Sequence, residues 1–167
     1  MVEIIKTYQE AVKPMRFIGK KYGNEDRVNG FFGAKWDEWF ENGWFSQLEK
    51  LNPYEGWHHY IGLMGHEEGE FKYWVGMFLP ADTVVPEGFD HMDYPGCRIA
   101  ACRLKGHEDH MYGNEPMCSD RLIEEGYEML EREFICFERE LDCDDPETTS
   151  LKEKEGIIDI CFFVKSE

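Results

Sequence analysis

Tyr60-Ile61-Gly62-Leu63-Met64-Gly65-His66-Glu67-Glu68-Gly69-Glu70-Phe71-Lys72-Tyr73-Trp74-Val75-Gly76 is the stretch whose reading decides the fold. It reads as two aromatic-rich strands joined by an acidic turn around Gly69, with a glycine inside each strand. Such a glycine weakens a sheet unless a ligand or a second backbone comes close to it. Set beside Tyr60, Tyr73 and Trp74, these glycines predict a concave surface walled by rings, the construction of small-molecule pockets. Successive strand residues point to opposite faces, so one face of the hairpin must be core and Trp74 points away from Tyr73. Tyr60 and Tyr73 are therefore candidates to supply phenol donors or cation–π faces to a ligand.

Outward from this hairpin, residues 3–23 read as extended, broken at Pro14, with Met15, Phe17 and Ile18 as apolar positions. A helix follows, capped by Asn24 or Asp26, in which Phe32, Trp36 and Phe40 recur every four residues. Gly43 stops it, and Trp44, Leu48 and Leu51 mark a further short helical piece. Asn52-Pro53 is a turn signal. The flanking strands are expected over 57–64 and 71–79. After a loop containing Pro80 and Pro86-Glu87-Gly88, a ribbon over 89–104 is bent at Asp93-Tyr94-Pro95-Gly96. A second helix over 116–131, capped by Asn114 or Ser119, carries the stripe Leu122, Ile123, Tyr127 and Leu130. A strand over 134–141, an acidic loop over 142–154 and a closing strand over 157–165 complete the chain. The element order strand, helix, strand, strand thus occurs twice, although the residues themselves do not repeat. The expectation is one α+β domain, 1–167, made of tandem βαββ modules (halves of about 1–80 and 81–167). Its sheet is mostly antiparallel, with two main helices on one face and a ligand cleft between the modules. No helix-turn-helix segment is left over to bind DNA.

Composition narrows the function classes. A chain of 167 residues can bury a real core, and 42% hydrophobic with 15% aromatic residues excludes intrinsic disorder. The formal charge of −17 argues against nucleic acid and anionic membranes, both of which attract Lys and Arg. It would draw a cationic ligand or a basic protein surface, and it also serves solubility. Cys97, Cys102, Cys118, Cys136, Cys143 and Cys161 form no CxxC spacing, and several lie in apolar strands as small hydrophobes. The N-terminus lacks a signal-peptide pattern, and no apolar run approaches the roughly 20 residues of a membrane span. These features read as a reduced, soluble, cytoplasmic protein.

The chain resembles the GyrI-like (gyrase-inhibitor-like) small-molecule-binding domain, also the effector-binding domain of many AraC-type and MerR-type transcription regulators. The resemblance is carried by Lys35-Trp36-Asp37-Glu38-Trp39-Phe40 with Gly43 and Leu48, by Tyr60-Ile61-Gly62-Leu63, and by Phe71-Lys72-Tyr73-Trp74-Val75-Gly76. It continues through Pro86-Glu87-Gly88, Leu104-Lys105-Gly106, Phe137-Glu138-Arg139 and Ile158-Asp159-Ile160-Cys161-Phe162-Phe163-Val164-Lys165. The order and spacing of these pieces span nearly the whole chain. The resemblance implies duplicated βαββ units around a cleft for hydrophobic, planar, often cationic compounds, as in multidrug binding. It also implies a cleft glutamate on the strand after the second helix, which here is Glu138. Two departures stand out: Glu140 occupies a position that is often tyrosine, and Phe163 one that is commonly proline.

Glu138 is the sharpest candidate. In Phe134-Ile135-Cys136-Phe137-Glu138-Arg139-Glu140-Leu141 a strand puts Phe134, Cys136, Glu138 and Glu140 on one face. A carboxylate among apolar neighbours can bind a cation or act as a general base; the alternative is a surface carboxylate paired with Lys or Arg. Trp36 and Phe40, one helical turn apart, are candidates to wall the cleft, with core packing as the alternative. Tyr60, Tyr73 and Tyr127 complete the candidate ligand-binding set. His58-His59 point apart on a strand, and His107-Glu108-Asp109-His110 is as well explained by a solvated turn, so no metal or other cofactor is expected. No phosphate-binding loop or GxSxG elbow is present. The leading reading is a stand-alone binder of a drug-like aromatic, neutral or cationic molecule. The resemblance leaves open a hydrolase that opens cyclopropane rings of DNA-alkylating natural products, with Glu138 as base. An acidic protein-interaction inhibitor, acting on a basic protein partner, is the third reading.

Overall fold

The computed structural model describes residues 2–106, 113–140 and 156–165. Within them the fold is α+β, with eight strands and three α-helices. The chain divides into two compact units, Lys13–Gly96 and Met1–Val12 with Cys97–Glu167. Within each unit the pairings are antiparallel throughout.

The extended N-terminal run breaks at Pro14, which cannot donate to a ladder, into β1 (Glu3–Val12) and β2 (Met15–Gly23). The strand β2 belongs to the Lys13–Gly96 unit, whose order is β3-β4-β2-β5, with β3 at Ile61–Glu67, β4 at Glu70–Pro80 and β5 at Asp90–Tyr94. The hairpin β3–β4 closes at Glu68-Gly69, whose φ values of 53° and 82° belong to the two-residue turn that matches strand twist. The strand β3 begins later than expected, because a turn in which Trp57 N–H donates to the Tyr54 carbonyl (2.9 Å) holds the preceding segment. Tyr60 therefore sits just ahead of β3.

The strand-interior glycine of β4 has a structural partner. Gly76 lies opposite Gly19 of β2, and a Cβ on Gly76 would stand 2.2 Å from the Ile18 carbonyl oxygen. At this position a second backbone makes the close approach.

The first helix differs from its sequence-based bounds. Asn24–Asp26 is a single 3-10 turn in which the Asp26 carboxylate accepts from Gly23 N–H (2.9 Å). Val28 and Phe31 then bridge across Asn29-Gly30, so α1 spans only Gly33–Glu41. Its buried ring is Trp39, while Phe40 is 57% exposed. The reason is the helical period: successive steps of four drift by about 40°, so Phe40 rotates away from Phe32 while a residue seven on stays near it. The helix α2 (Trp44–Glu49) buries Phe45 and Leu48. These side chains pack with Ile18, Phe32, Trp39, Tyr73, Val75, Met77 and Leu79 into the core of this unit.

In the other unit the strand order is β1-β6-β8-β7, with β6 at Cys97–Gly106, β7 at Cys136–Glu140 and β8 at Gly156–Val164. The expected ribbon over 89–104 is thus two strands with different partners, β5 on β2 and β6 on β1 and β8. The helix α3 (Glu115–Glu124) ends well before residue 131, Gly126 following at φ 101°. It buries Cys118 and Leu122 against Ala100, Cys102, Leu104, Ile158, Ile160, Phe162 and Val164, leaving Ile123 of the expected stripe 55% exposed. The strand β7 starts after Phe134, whose φ of 55° is incompatible with a strand. No helix among the described residues is long and apolar enough to cross a membrane.

Candidate functional site

In the Lys13–Gly96 unit the structure joins four of the sequence-predicted residues through their rings. Trp36 Nε1 donates to the Tyr73 hydroxyl (2.9 Å), tying α1 to β4. Tyr60 stacks on Phe45 with centroids 4.0 Å apart, and Phe45 also meets Trp36 (5.5 Å) and Phe40 (5.1 Å). Phe40 in turn lies 5.8 Å from Tyr60 and 6.5 Å from Trp36. Tyr73 is buried and stacks on Phe32 at 4.4 Å, whereas Trp36 and Tyr60 are half-buried. Burial raises the Tyr60 hydroxyl above its ordinary value, helped by its hydrogen bond to Glu49. The result is a tiled ring wall with a closed back (Tyr73, Phe45) and a partly open front (Trp36, Phe40, Tyr60). Such a surface offers apolar contact and π faces to a flat molecule.

Glu138 and Tyr127 belong to the other unit. Glu138 is 7% exposed, directly opposite Ile160 of β8. Strand alternation puts it beside Cys136, on the side packed by α3. Burial pushes the Cys136 thiol well up, and Glu115 and Glu138 add to it. Tyr127, half-buried just after α3, packs against the same apolar cluster. Glu138 is therefore a buried carboxylate. The side chain of Glu140, together with Cys143 and His107–His110, lies outside the described residues. Among the described residues no group of His, Cys, Asp and Glu is placed to hold a metal.

A group that sequence reasoning missed lies on the opposite face of this strand set. The fully buried Asp159 accepts from Arg103 Nε (2.9 Å), from Arg139 Nη2 (3.3 Å) and from the Tyr8 hydroxyl. Arg139 also donates to Tyr8 (2.6 Å) and pairs with Glu10 (3.3 Å). Burial drives the Tyr8 hydroxyl far above the phenol range, Arg139 opposing and Asp159 adding. The available signal was Asp159, the lone charge of the apolar strand β8, with Arg103 and Arg139 on the neighbouring strands β6 and β7.

A model of the GyrI-like small molecule binding domain matches residues 6–162. The chain belongs to that family. Three solved structures share the fold of this GyrI-like chain. One is SAV2435 bound to tetraphenylphosphonium, at 14% identity and TM-score 0.67, covering 96% of this chain and 94% of that one. A Staphylococcus aureus MU50 protein provisionally assigned to bacterial transcription regulation follows at 15% identity and TM-score 0.64, covering 96% and 99%. The EcmrR C-terminal domain matches at 14% identity and TM-score 0.57, covering 97% and 98%. At these identities the likeness establishes the fold. No curated protein matches the chain in sequence.

Proposed function

We propose that this GyrI-like chain binds a hydrophobic, drug-like aromatic compound, neutral or cationic. The observation that carries the reading is the partly open ring wall of Trp36, Phe40 and Tyr60 backed by Tyr73 and Phe45. Exposed aromatic surface is costly in water, so rings left open and in register are explained by a guest. Glu138, a carboxylate buried opposite Ile160 in the other unit, is assigned by itself as a cation-neutralising group. The net charge of −17 favours the approach of cations. The tetraphenylphosphonium held by a protein of the same fold makes that ion the natural first probe.

The test is calorimetric titration with tetraphenylphosphonium and with neutral triphenylphosphine oxide. Both bind, and Trp36→Ala weakens both. Glu138→Gln lowers affinity for the cation by about ten- to a hundredfold, the Coulomb attraction of one ion pair in a partly buried site, and leaves the neutral compound unchanged. Absence of binding tighter than millimolar for either probe refutes the reading. Equal cation affinity in Glu138→Gln removes the carboxylate from it.

The same buried carboxylate also favours a second reading, hydrolytic opening of a strained cyclopropane ring in a DNA-alkylating natural product. Water would then add across the strained C–C bond: Glu138 takes a proton as the water oxygen bonds one ring carbon, and the electron pair of the breaking C–C bond takes up a proton in its place. Substrate consumed beyond one equivalent, and abolished in Glu138→Gln, distinguishes turnover from binding.

A further inference from the structure

A second aromatic arrangement in the Lys13–Gly96 unit already holds a cation, and the cation is the protein's own. Lys20 leaves β2 with its Nζ 4.3 Å from the Trp44 ring centroid and 4.9 Å from that of Phe89. The same ammonium donates to the Gly88 carbonyl at 2.8 Å. Trp44 and Phe89 stand at 83° to one another with centroids 6.5 Å apart. Trp39 backs both, 5.5 Å from Trp44 and 5.7 Å from Phe89. Two π faces at an angle, with one carbonyl acceptor between them, are the elements that recognise an alkylammonium ion. Three parts of the unit meet at this point: β2, the start of α2, and the segment 81–89. The other end of that segment is held by Arg16, whose Nη1 donates to the Thr83 carbonyl at 2.9 Å.

We propose that Trp44, Phe89 and the Gly88 carbonyl form an alkylammonium box whose resident is Lys20. The filled box latches segment 81–89 onto β2 and α2, and once emptied it takes a small alkylammonium ion from solution. The tether explains why the native box keeps its occupant. A side chain anchored directly beside its site acts at an effective concentration well above the roughly millimolar value of a short flexible linker, so tens of millimolar of a weakly held free ion do not displace it. The box is separate from Trp36, Phe40, Tyr60 and Tyr73, and its test does not depend on the ligand proposed above.

The experiment uses the full chain, with melting followed by calorimetry at ionic strength held constant with sodium chloride. Lys20→Ala melts about 2–4 °C below the native chain, as expected for losing one partly exposed cation–π contact. Lys20→Met keeps the stem and lacks the charge, and it shows the same loss. Methylammonium at tens of millimolar returns at least half of the loss to Lys20→Ala. It has no effect on the native chain or on the double variant Lys20→Ala/Trp44→Ala, and methanol restores nothing. Native-like melting of Lys20→Met, or a gain in Lys20→Ala matched by methanol or by the double variant, overturns the box.

Discussion

Replacing Gly76 by alanine places a methyl group where β2 already runs. The added Cβ would lie 2.2 Å from the Ile18 carbonyl oxygen and 2.8 Å from the Gly19 Cα, both backbone atoms. A carbon–oxygen contact normally needs more than 3 Å, so β2 and β4 must separate locally by about 1 Å, a fifth of the usual strand spacing. Overpacking of this kind costs about 1–3 kcal/mol. Stretching one or two ladder hydrogen bonds adds about 1 kcal/mol each. Gly76→Ala is therefore expected to lose about 2–5 kcal/mol, a fall in Tm on the order of 10 °C for a chain of this size. Gly19→Ala meets the Val75 carbonyl at 2.1 Å and behaves alike. The control is Gly33→Ala on α1, where an added Cβ meets nothing within 4 Å and stability is kept or slightly improved. Urea denaturation with the m-value monitored is the assay. A loss below about 1 kcal/mol for Gly76→Ala, at unchanged m, would refute the close-approach argument.

Asp159→Ala removes the one fully buried carboxylate shared by Arg103 and Arg139 and should cost about 3–5 kcal/mol, since two guanidinium groups then lack it. Denaturant midpoints within about 1 kcal/mol of the native chain would dismiss that network as a stabilising element. Stability should also fall in alkali. Burial holds the Cys161 thiol up to about 12 and raises Tyr8, so both stay protonated in the folded chain while the unfolded chain ionises from near pH 9 and 10. Stability is full below those values and is lost as pH climbs toward the folded ones, at about 1.4 kcal/mol per pH unit for each group. Urea midpoints at pH 8, 9 and 10 check this, and a Cys161→Ala variant whose slope equals the native one counts against the assignment.

The aromatic cluster of the Lys13–Gly96 unit was partly legible in the sequence. Trp36, Phe40 and Tyr60 stand out by type and spacing and meet through Phe45, and Tyr73 joins them by accepting from Trp36. What spacing could not tell was which ring of α1 is buried, because the helix starts nine residues after Asn24 and its phase selects Trp39. Glu138 stood out by the face it shares with Phe134 and Cys136. Asp159 was the lone charge of an apolar strand and was passed over with Arg103 and Arg139, since their meaning depends on β6, β7 and β8 lying side by side.

Local chemistry alone settled the break at Pro14, the turn at Glu68-Gly69 and the stop at Gly43. Each depends on dihedral preferences or residue spacing within a few positions. Tertiary structure alone decided that β1 pairs with β6, that Gly19 faces Gly76, and that one aspartate serves two arginines and a tyrosine. Those choices join residues far apart in the chain. They are made by burial gained against loop-closure entropy, a balance that no short window of sequence contains.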